Sequence, residues 1–179
     1  MGSGRPLPSL LSPPLRDVLI YGMKVGSPFD RLNVDRQLAG EFLAVFARYE
    51  FALKAAGFAN GGDRKVEAAW DIYAKSIDGA FARLNCPELA AAVEYLIKQP
   101  PKKQVLIRGK VQWRDAPPDP KTLRAEQVLL MVRRVRNNLF HGGKFLPGGD
   151  RDQVLVNHAL VVLKACLPLN ANVEAAYAS

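Results

Sequence analysis

The side chains best suited to chemistry lie in one short string, Arg136-Asn137-Asn138-Leu139-Phe140-His141-Gly142-Gly143-Lys144. Histidine has an unperturbed pKa of about 6.5, so His141 could accept and return a proton near neutral pH. Arginine stays charged, and the planar fork of Arg136 could hold two phosphate oxygens. In RNA, the ribose 2′-hydroxyl beside the scissile phosphate is itself the nucleophile. Its cleavage therefore needs a group that transfers protons and a cation that holds the phosphate. The two residues therefore predict a phosphodiester-cleaving site that needs no metal ion.

The spacing within this string limits how the two groups can cooperate. On a helix, Asn137 and His141 lie one turn apart, so Asn137 could hydrogen-bond the imidazole and select its tautomer. Arg136 and His141 are separated by about 140° around an ideal helix, so they cannot point at one phosphate from a straight helix. Either the helix unwinds at Gly142, or two copies of the string assemble one site.

The sequence predicts neither a metal nor a cofactor. It contains no His-Glu-x-x-His string, no Cys-x-x-Cys pair and no acidic cluster of the kind that binds a metal ion. Gly142-Gly143-Lys144 lacks the spacing and the preceding strand of a phosphate-cradling Walker loop. We therefore expect a site built from protein side chains alone.

The net charge of +8 is concentrated in one segment. Residues 102–144 contain eleven basic and three acidic residues, whereas the rest of the chain has fourteen of each sign. A concentrated positive field attracts polyanions such as RNA, although a solvated basic face would have the same composition. The candidate RNA-binding residues are Arg108, Lys110, Arg114, Arg133 and Arg134. Trp113 lies among the first three and could stack on a base, but core packing is the commoner fate of an aromatic residue.

The elements that must position these residues are mostly helices. Apolar residues recur at helical spacing, as in the stripe from Leu38 to Leu53. The predicted helices cover about 34–56, 66–84, 87–99, 120–140 and 151–167. Asn33 could cap the first helix, and Asp150 with Gln153 forms a capping box for the last. Short connections between amphipathic helices predict an all-α fold, an antiparallel bundle of four to five main helices.

Two stretches depart from the helical pattern. Over 104–114, apolar and basic residues alternate, which predicts a short extended basic segment or hairpin with the basic residues on one side. Residues 1–16 contain four prolines, and their broken apolar stretch is not typical of a secretory signal peptide. We expect an N-terminal extended arm over 1–30 and one helical domain over 31–179.

Composition sets the remaining bounds. The chain of 179 residues is 49% hydrophobic and 23% charged, which excludes wholesale disorder. It has no unbroken apolar run of about 18 residues, so we expect no transmembrane helix. Cys86 and Cys166 are too few for a disulfide framework and are interpreted as structural. We expect a cytoplasmic protein with no membrane contact.

The string from Arg136 to Lys144 also resembles a known family. The spacing R-x4-H, with Arg136 and His141 at its ends, has the form of the HEPN ribonuclease motif, and a polar residue after the arginine, here Asn137, is typical of it. The longer string is similar to that of bacterial HEPN proteins of the Apea-like group. The resemblance extends over about 30–170, although the motif itself covers only nine residues.

This resemblance implies a fold, an activity and an assembly. HEPN domains are helical bundles that form homodimers in which two motifs face each other across a cleft. Many are metal-independent endoribonucleases that leave a 2′,3′-cyclic phosphate, and they act as toxins of toxin–antitoxin pairs or in phage defence. The implied catalytic residues are Arg136, His141 and Asn137, with Glu50 and Lys144 as candidates for supporting roles. Glu50 could orient Arg136 or His141 from an early helix, or be an ordinary surface acid.

The resemblance also leaves alternatives open. HEPN toxins that are silenced by AMPylation carry a tyrosine two residues after the histidine, where this chain has Gly143. A nucleotidyltransferase partner is therefore in doubt, and an acidic antitoxin is the other candidate partner. Some HEPN domains only bind RNA or serve as scaffolds, and the basic segment could instead dock on an acidic protein. His158, among apolar residues, is interpreted as a partly buried structural histidine.

Overall fold

The computed structural model describes residues 18–20, 23–25, 32–140 and 150–179. The chain divides into two units, Met1–Arg31 and Leu32–Ser179, and each is described by itself. In the first unit, strands β1 (Val18–Ile20) and β2 (Met23–Val25) form an antiparallel pair. The expectation of an extended arm over 1–30 and a domain over 31–179 stays a prediction.

The second unit contains helices and two further strand pairs. Its elements in chain order are α1 (Arg36–Ala55), β3 (Ala59–Gly62), β4 (Lys65–Ala68), α2 (Trp70–Phe81), α3 (Pro87–Lys98), β5 (Lys103–Ile107), β6 (Lys110–Arg114), α4 (Arg124–Phe140), α5 (Arg151–Cys166), a 3₁₀ turn (Leu167–Leu169) and α6 (Ala171–Ala178). Strands β3 and β4 pair in antiparallel fashion, as do β5 and β6.

The prediction of an all-α bundle with four to five main helices is wrong. The described residues form six α-helices and three two-stranded antiparallel sheets, so helices and strands are mixed. The sequence did not reveal the hairpin β3–β4 because its residues are almost all exposed and the one alternation of polar and apolar types in it, over Lys65–Ala68, is only four residues long. Since the backbone of 65–68 pairs with that of 59–62, α2 begins at Trp70 rather than near Val66.

Local signals explain where several helices begin and end. The Asp35 side chain accepts a hydrogen bond from the Leu38 amide at 2.9 Å, so Asp35, not Asn33, caps α1. After α1, Gly57 has φ +87°, which lets the Phe58 amide reach back to the Leu53 carbonyl at 2.8 Å.

The predicted capping box of α5 does not form. The Asp150 side chain makes no capping bond. The Gln153 side chain instead accepts from the Asp35 amide at 2.9 Å. Gln153 therefore ties the start of α5 to the start of α1.

The core of the second unit lies between its helices. Helix α5 packs against α1, α3 and α4, and α2 packs against α4. The α1 stripe buries Phe42, Phe46, Tyr49 and Leu53, as its spacing predicts. Next to it, Trp70 stacks on the rings of Phe46 and Tyr49, with centroids 5.3 and 5.4 Å away. This aromatic cluster fixes the relative positions of α1 and α2.

One helical stretch among the described residues, Arg151–Leu169, is long and apolar enough by composition to cross a membrane. Of its most apolar window, 44% is buried inside the protein, and the core helix of a globular domain passes the same test. The stretch is therefore weak evidence for a span. The cytoplasmic location stays a prediction.

Candidate active site

The candidate motif begins in the last turns of α4, which is helical through Phe140. Arg136 and Asn137 are described, whereas His141 and Lys144 lie outside the described residues. The described part of the motif is therefore its α4 side.

Within the described part of the chain, Arg136 contacts side chains from two helices. Its Nη2 lies 3.9 Å from Glu50 Oε2, and its guanidinium carbon lies 5.2 Å from the centre of the Phe46 ring. Its Nη1 donates a hydrogen bond to Asn137 Oδ1 at 3.1 Å. The Arg136 and Glu50 side chains are 29% and 33% exposed, so the pair is partly shielded from water. The guanidinium is thereby oriented while part of it still faces solvent.

Glu50 joins three helices at this point. Its second carboxylate oxygen, Oε1, accepts from the buried Trp70 indole N–H at 3.4 Å. Glu50 comes from α1, Trp70 from α2 and Arg136 from α4, and all three meet at the aromatic cluster. The structure thus places Glu50 beside Arg136, and its supporting role stays a prediction.

An open cleft of about 290 Å³ adjoins Glu50. Its lining residues are Glu50, Lys54, Val66, Glu67, Ala68, Trp70 and Arg133. Arg133 lies one turn before Arg136 and Asn137 on α4, so the cleft continues the site along that helix. A hydrogen bond and the charge of Lys65, and more weakly the charge of Arg133, hold the pKa of Glu67 below its usual value. The cleft therefore presents two cations and two carboxylates.

The other predicted RNA-binding cations lie on a separate element, the hairpin β5–β6. Arg108 is in its turn, and Lys110 and Arg114 lie on β6. All three are exposed. The register places Lys110 and Arg114 on one face of the hairpin, and Trp113 is half-buried on the other.

Arg134 is oriented differently from Arg133. Its Nη1 donates to the Ala116 carbonyl, and burial lowers the pKa of its half-buried guanidinium. Arg134 thus ties the proline-rich connection to α4, and a structural role accounts for it. His158 is likewise half-buried, with its ring 4.8 Å from that of Tyr95, and burial lowers its pKa.

Sequence reasoning missed two kinds of residue near the site. Asn138 is buried and donates to the Lys102 carbonyl at 2.8 Å, which fastens the base of hairpin β5–β6 to α4. Its spacing of three from Val135 on the buried stripe was the available signal. The sequence contained no signal for Lys54 and Glu67 of the cleft, because only the fold brings α1 and β4 beside α4.

Comparison of the chain with family models, curated proteins and solved structures found no match.

Proposed function

We propose that this protein is a metal-independent endoribonuclease of HEPN type that acts as a homodimer. The observation that carries the proposal is the Arg136 guanidinium, partly shielded and oriented by Glu50, Phe46 and Asn137, five residues before His141 and beside an open polar cleft. A toxin or a phage-defence nuclease is the proposed setting, with RNA as substrate and the cytoplasm as location.

The proposed reaction is a transesterification within RNA. The ribose 2′-oxygen attacks the adjacent phosphorus while the bond from phosphorus to the 5′-oxygen breaks. His141 transfers protons, since the 2′-hydroxyl loses one and the departing 5′-oxygen gains one. Arg136 stabilises the negative charge that grows on the phosphate oxygens. The products are a 2′,3′-cyclic phosphate and a 5′-hydroxyl.

The proposed homodimer follows from the angle between the two groups. Because α4 is helical through Phe140, Arg136 and the following residues diverge around its axis. Most of α4 is buried within its own unit, and its exposed stripe contains Leu130, Arg133 and Asn137. We propose that the end of this stripe at Asn137 faces a second copy, so that Arg136 of one copy and His141 of the other act on one phosphate.

The first test is cleavage in the presence of EDTA. Wild-type protein should cut RNA, leave a 2′,3′-cyclic end and spare DNA, which lacks the 2′-hydroxyl. His141→Ala should slow cleavage roughly 10²–10⁴-fold, because it removes the proton-transferring group. Arg136→Ala should lose a comparable factor, and Asn137→Ala less. His158→Ala, which changes the chain's only other histidine, is the matched control and should retain activity.

Mixing the two inactive variants tests the shared site. An Arg136→Ala chain paired with a His141→Ala chain would contain one complete site, so activity should return in part. Equal cleavage by wild type and His141→Ala would mean that a contaminant cuts the RNA. Activity in a preparation that is monomeric by light scattering would contradict the shared site.

A non-catalytic RNA-binding or scaffold protein that acts through a protein partner is the second candidate. Hairpin β5–β6 favours it, because Leu106 and Val111 are 71% and 63% exposed on the face opposite Lys110 and Arg114. Such a surface suits an acidic protein, for example an antitoxin, better than RNA alone. Tight RNA binding by the wild type without cleavage, with or without metal, would support this candidate.

A further inference from the structure

We propose that the cleft between α1, β4 and α4 binds the nucleotide next to the scissile phosphate and selects a base with N–H donors, guanine above all, through Glu67. The position of the scissile phosphate rests on the proposed function. The cleft itself and its chemistry rest on the described residues.

The size and position of the cleft suit one nucleotide. Its volume of about 290 Å³ is at the small end of ligand pockets, which start near 300 Å³. It shares Glu50 with the Arg136 site, and Arg133 lies about 4.5 Å from Arg136 along the axis of α4. A strand whose phosphate contacts Arg136 therefore has its neighbouring nucleotide within reach of the cleft.

The charged residues of the cleft suit the two parts of a nucleotide, its phosphate and its base. Lys54 and Arg133 supply the positive charge that a phosphate needs. Of the two carboxylates, Glu50 already accepts from Trp70 and faces Arg136. Glu67 is the remaining acceptor for a base.

The present partner of Glu67 can be replaced. Lys65 lies 2.5 Å from Glu67 on the same strand, with both side chains mostly exposed. An ion pair between two exposed side chains contributes little free energy. A base that forms two hydrogen bonds to the carboxylate can therefore displace the Lys65 ammonium.

The chemistry of an ionised carboxylate decides which base fits. It offers two acceptor oxygens and no donor. Guanine presents two adjacent donors, N1–H and the 2-amino group, so both oxygens are satisfied. Adenine and cytosine present one amino group on this edge, and uracil sets one N–H between two carbonyl oxygens that the carboxylate repels. We expect the order guanine, then adenine and cytosine, then uracil.

The test is binding of the four nucleoside 3′-monophosphates to the wild-type protein, measured by calorimetry. These ligands contain no phosphodiester bond, so their binding is measured independently of RNA cleavage. Guanosine 3′-monophosphate should bind about tenfold or more tightly than the uridine compound, since it gains hydrogen bonds to a charged group. Glu67→Gln should remove most of this preference. Lys54→Ala and Arg133→Ala should weaken all four ligands alike.

The control variant is Glu94→Gln on α3. Glu94 also pairs with a lysine at 2.5 Å, and its side chain is 61% exposed against 62% for Glu67. It should leave the preference for guanine unchanged. Equal binding of the four nucleotides, or an equal effect of the two substitutions, would overturn the proposal. Guanine-selective binding that depends on Glu67 in a protein that never cleaves RNA would support the cleft while refuting the nuclease.

Discussion

At the scale of single residues, the contacts of Arg136 orient its side chain but contribute little to the stability of the fold. An ion pair exposed to about this degree contributes little to stability. The rings of Phe46 and Trp70 beneath it are closely packed, and the Trp70 indole fixes one oxygen of Glu50. These contacts limit the guanidinium to few orientations, which is what the proposed charge stabilisation of a phosphate requires.

The residue-scale prediction concerns the tyrosine pair behind this cluster. Tyr73 donates its only hydroxyl proton to the Cys166 carbonyl at 2.8 Å, so Tyr49 must be the donor in the 2.6 Å contact between the two hydroxyls. Tyr73→Phe leaves the buried Tyr49 hydroxyl and Cys166 carbonyl without the Tyr73 hydroxyl as hydrogen-bond partner. It should lower the free energy of unfolding by about 2–3 kcal/mol. Tyr49→Phe removes one donor and should cost about 1 kcal/mol. Denaturant unfolding followed by circular dichroism measures both, and equal costs would contradict this direction of the hydrogen bonds.

At the scale of elements, hairpin β5–β6 shows how a turn changes which side chains share a face. Read as one strand, the alternation puts Ile107, Val111 and Trp113 together. The two-residue turn at Arg108-Gly109 pairs Ile107 with Lys110 and Leu106 with Val111. Ile107 therefore lies on the basic face, and the predicted separation of basic and apolar residues is incomplete.

The element-scale prediction concerns Gly109. It has φ +74°, and a Cβ added there would meet no atom within 4 Å, so only the backbone conformation opposes a side chain. Gly109→Ala should destabilise the hairpin by about 1 kcal/mol, and amide exchange over 103–114 should accelerate about fivefold. Gly40→Ala is the matched control, because Gly40 also has open space but lies inside α1. It should stabilise the protein by up to about 1 kcal/mol. A stabilising effect at both positions would contradict the turn.

At the scale of the whole molecule, the distribution of charge would govern how the proposed RNA substrate approaches. The segment 102–144 carries the entire net charge, and within its described part the hairpin extends exposed cations from a base that Asn138 fastens to α4. The hairpin is thus a candidate for attracting the strand, whereas the Arg136 site and the cleft would act on one phosphate and one nucleotide.

The molecular prediction is that RNA affinity falls steeply with salt and that the hairpin accounts for much of the slope. Replacing Arg108, Lys110 and Arg114 together by Glu should reduce the slope of log affinity against log salt by about 2, because each phosphate contact on a single strand contributes about 0.7. The control replaces Arg83, Lys98 and Lys164 by Glu, which changes the net charge equally. Fluorescence anisotropy at several salt concentrations measures the slope. The same loss in both triple variants would mean that net charge, and not the hairpin, governs binding.

The predictability of the fold differed between elements for a physical reason. Helix α1 forms over Arg36–Ala55 against a predicted 34–56, and α5 over Arg151–Cys166 against a predicted 151–167, because both bury a stripe at helical spacing. Hairpin β3–β4 buries almost nothing, and the alternation over Lys65–Ala68 is only four residues long, so the all-α prediction failed there. The start of α2 was misplaced for the same reason.

By itself, the sequence determined what is local: the main helices, the excess of positive charge in one segment, and the order in which Arg136, Asn137 and His141 follow one another. Only the tertiary structure decided which of two adjacent arginines faces the cleft, and that Glu50 lies beside Arg136. Side-chain spacing fixes how residues are arranged around one helix. Contacts between α1, β4 and α4 depend instead on how apolar faces pack across long stretches of chain, and no short pattern records that packing.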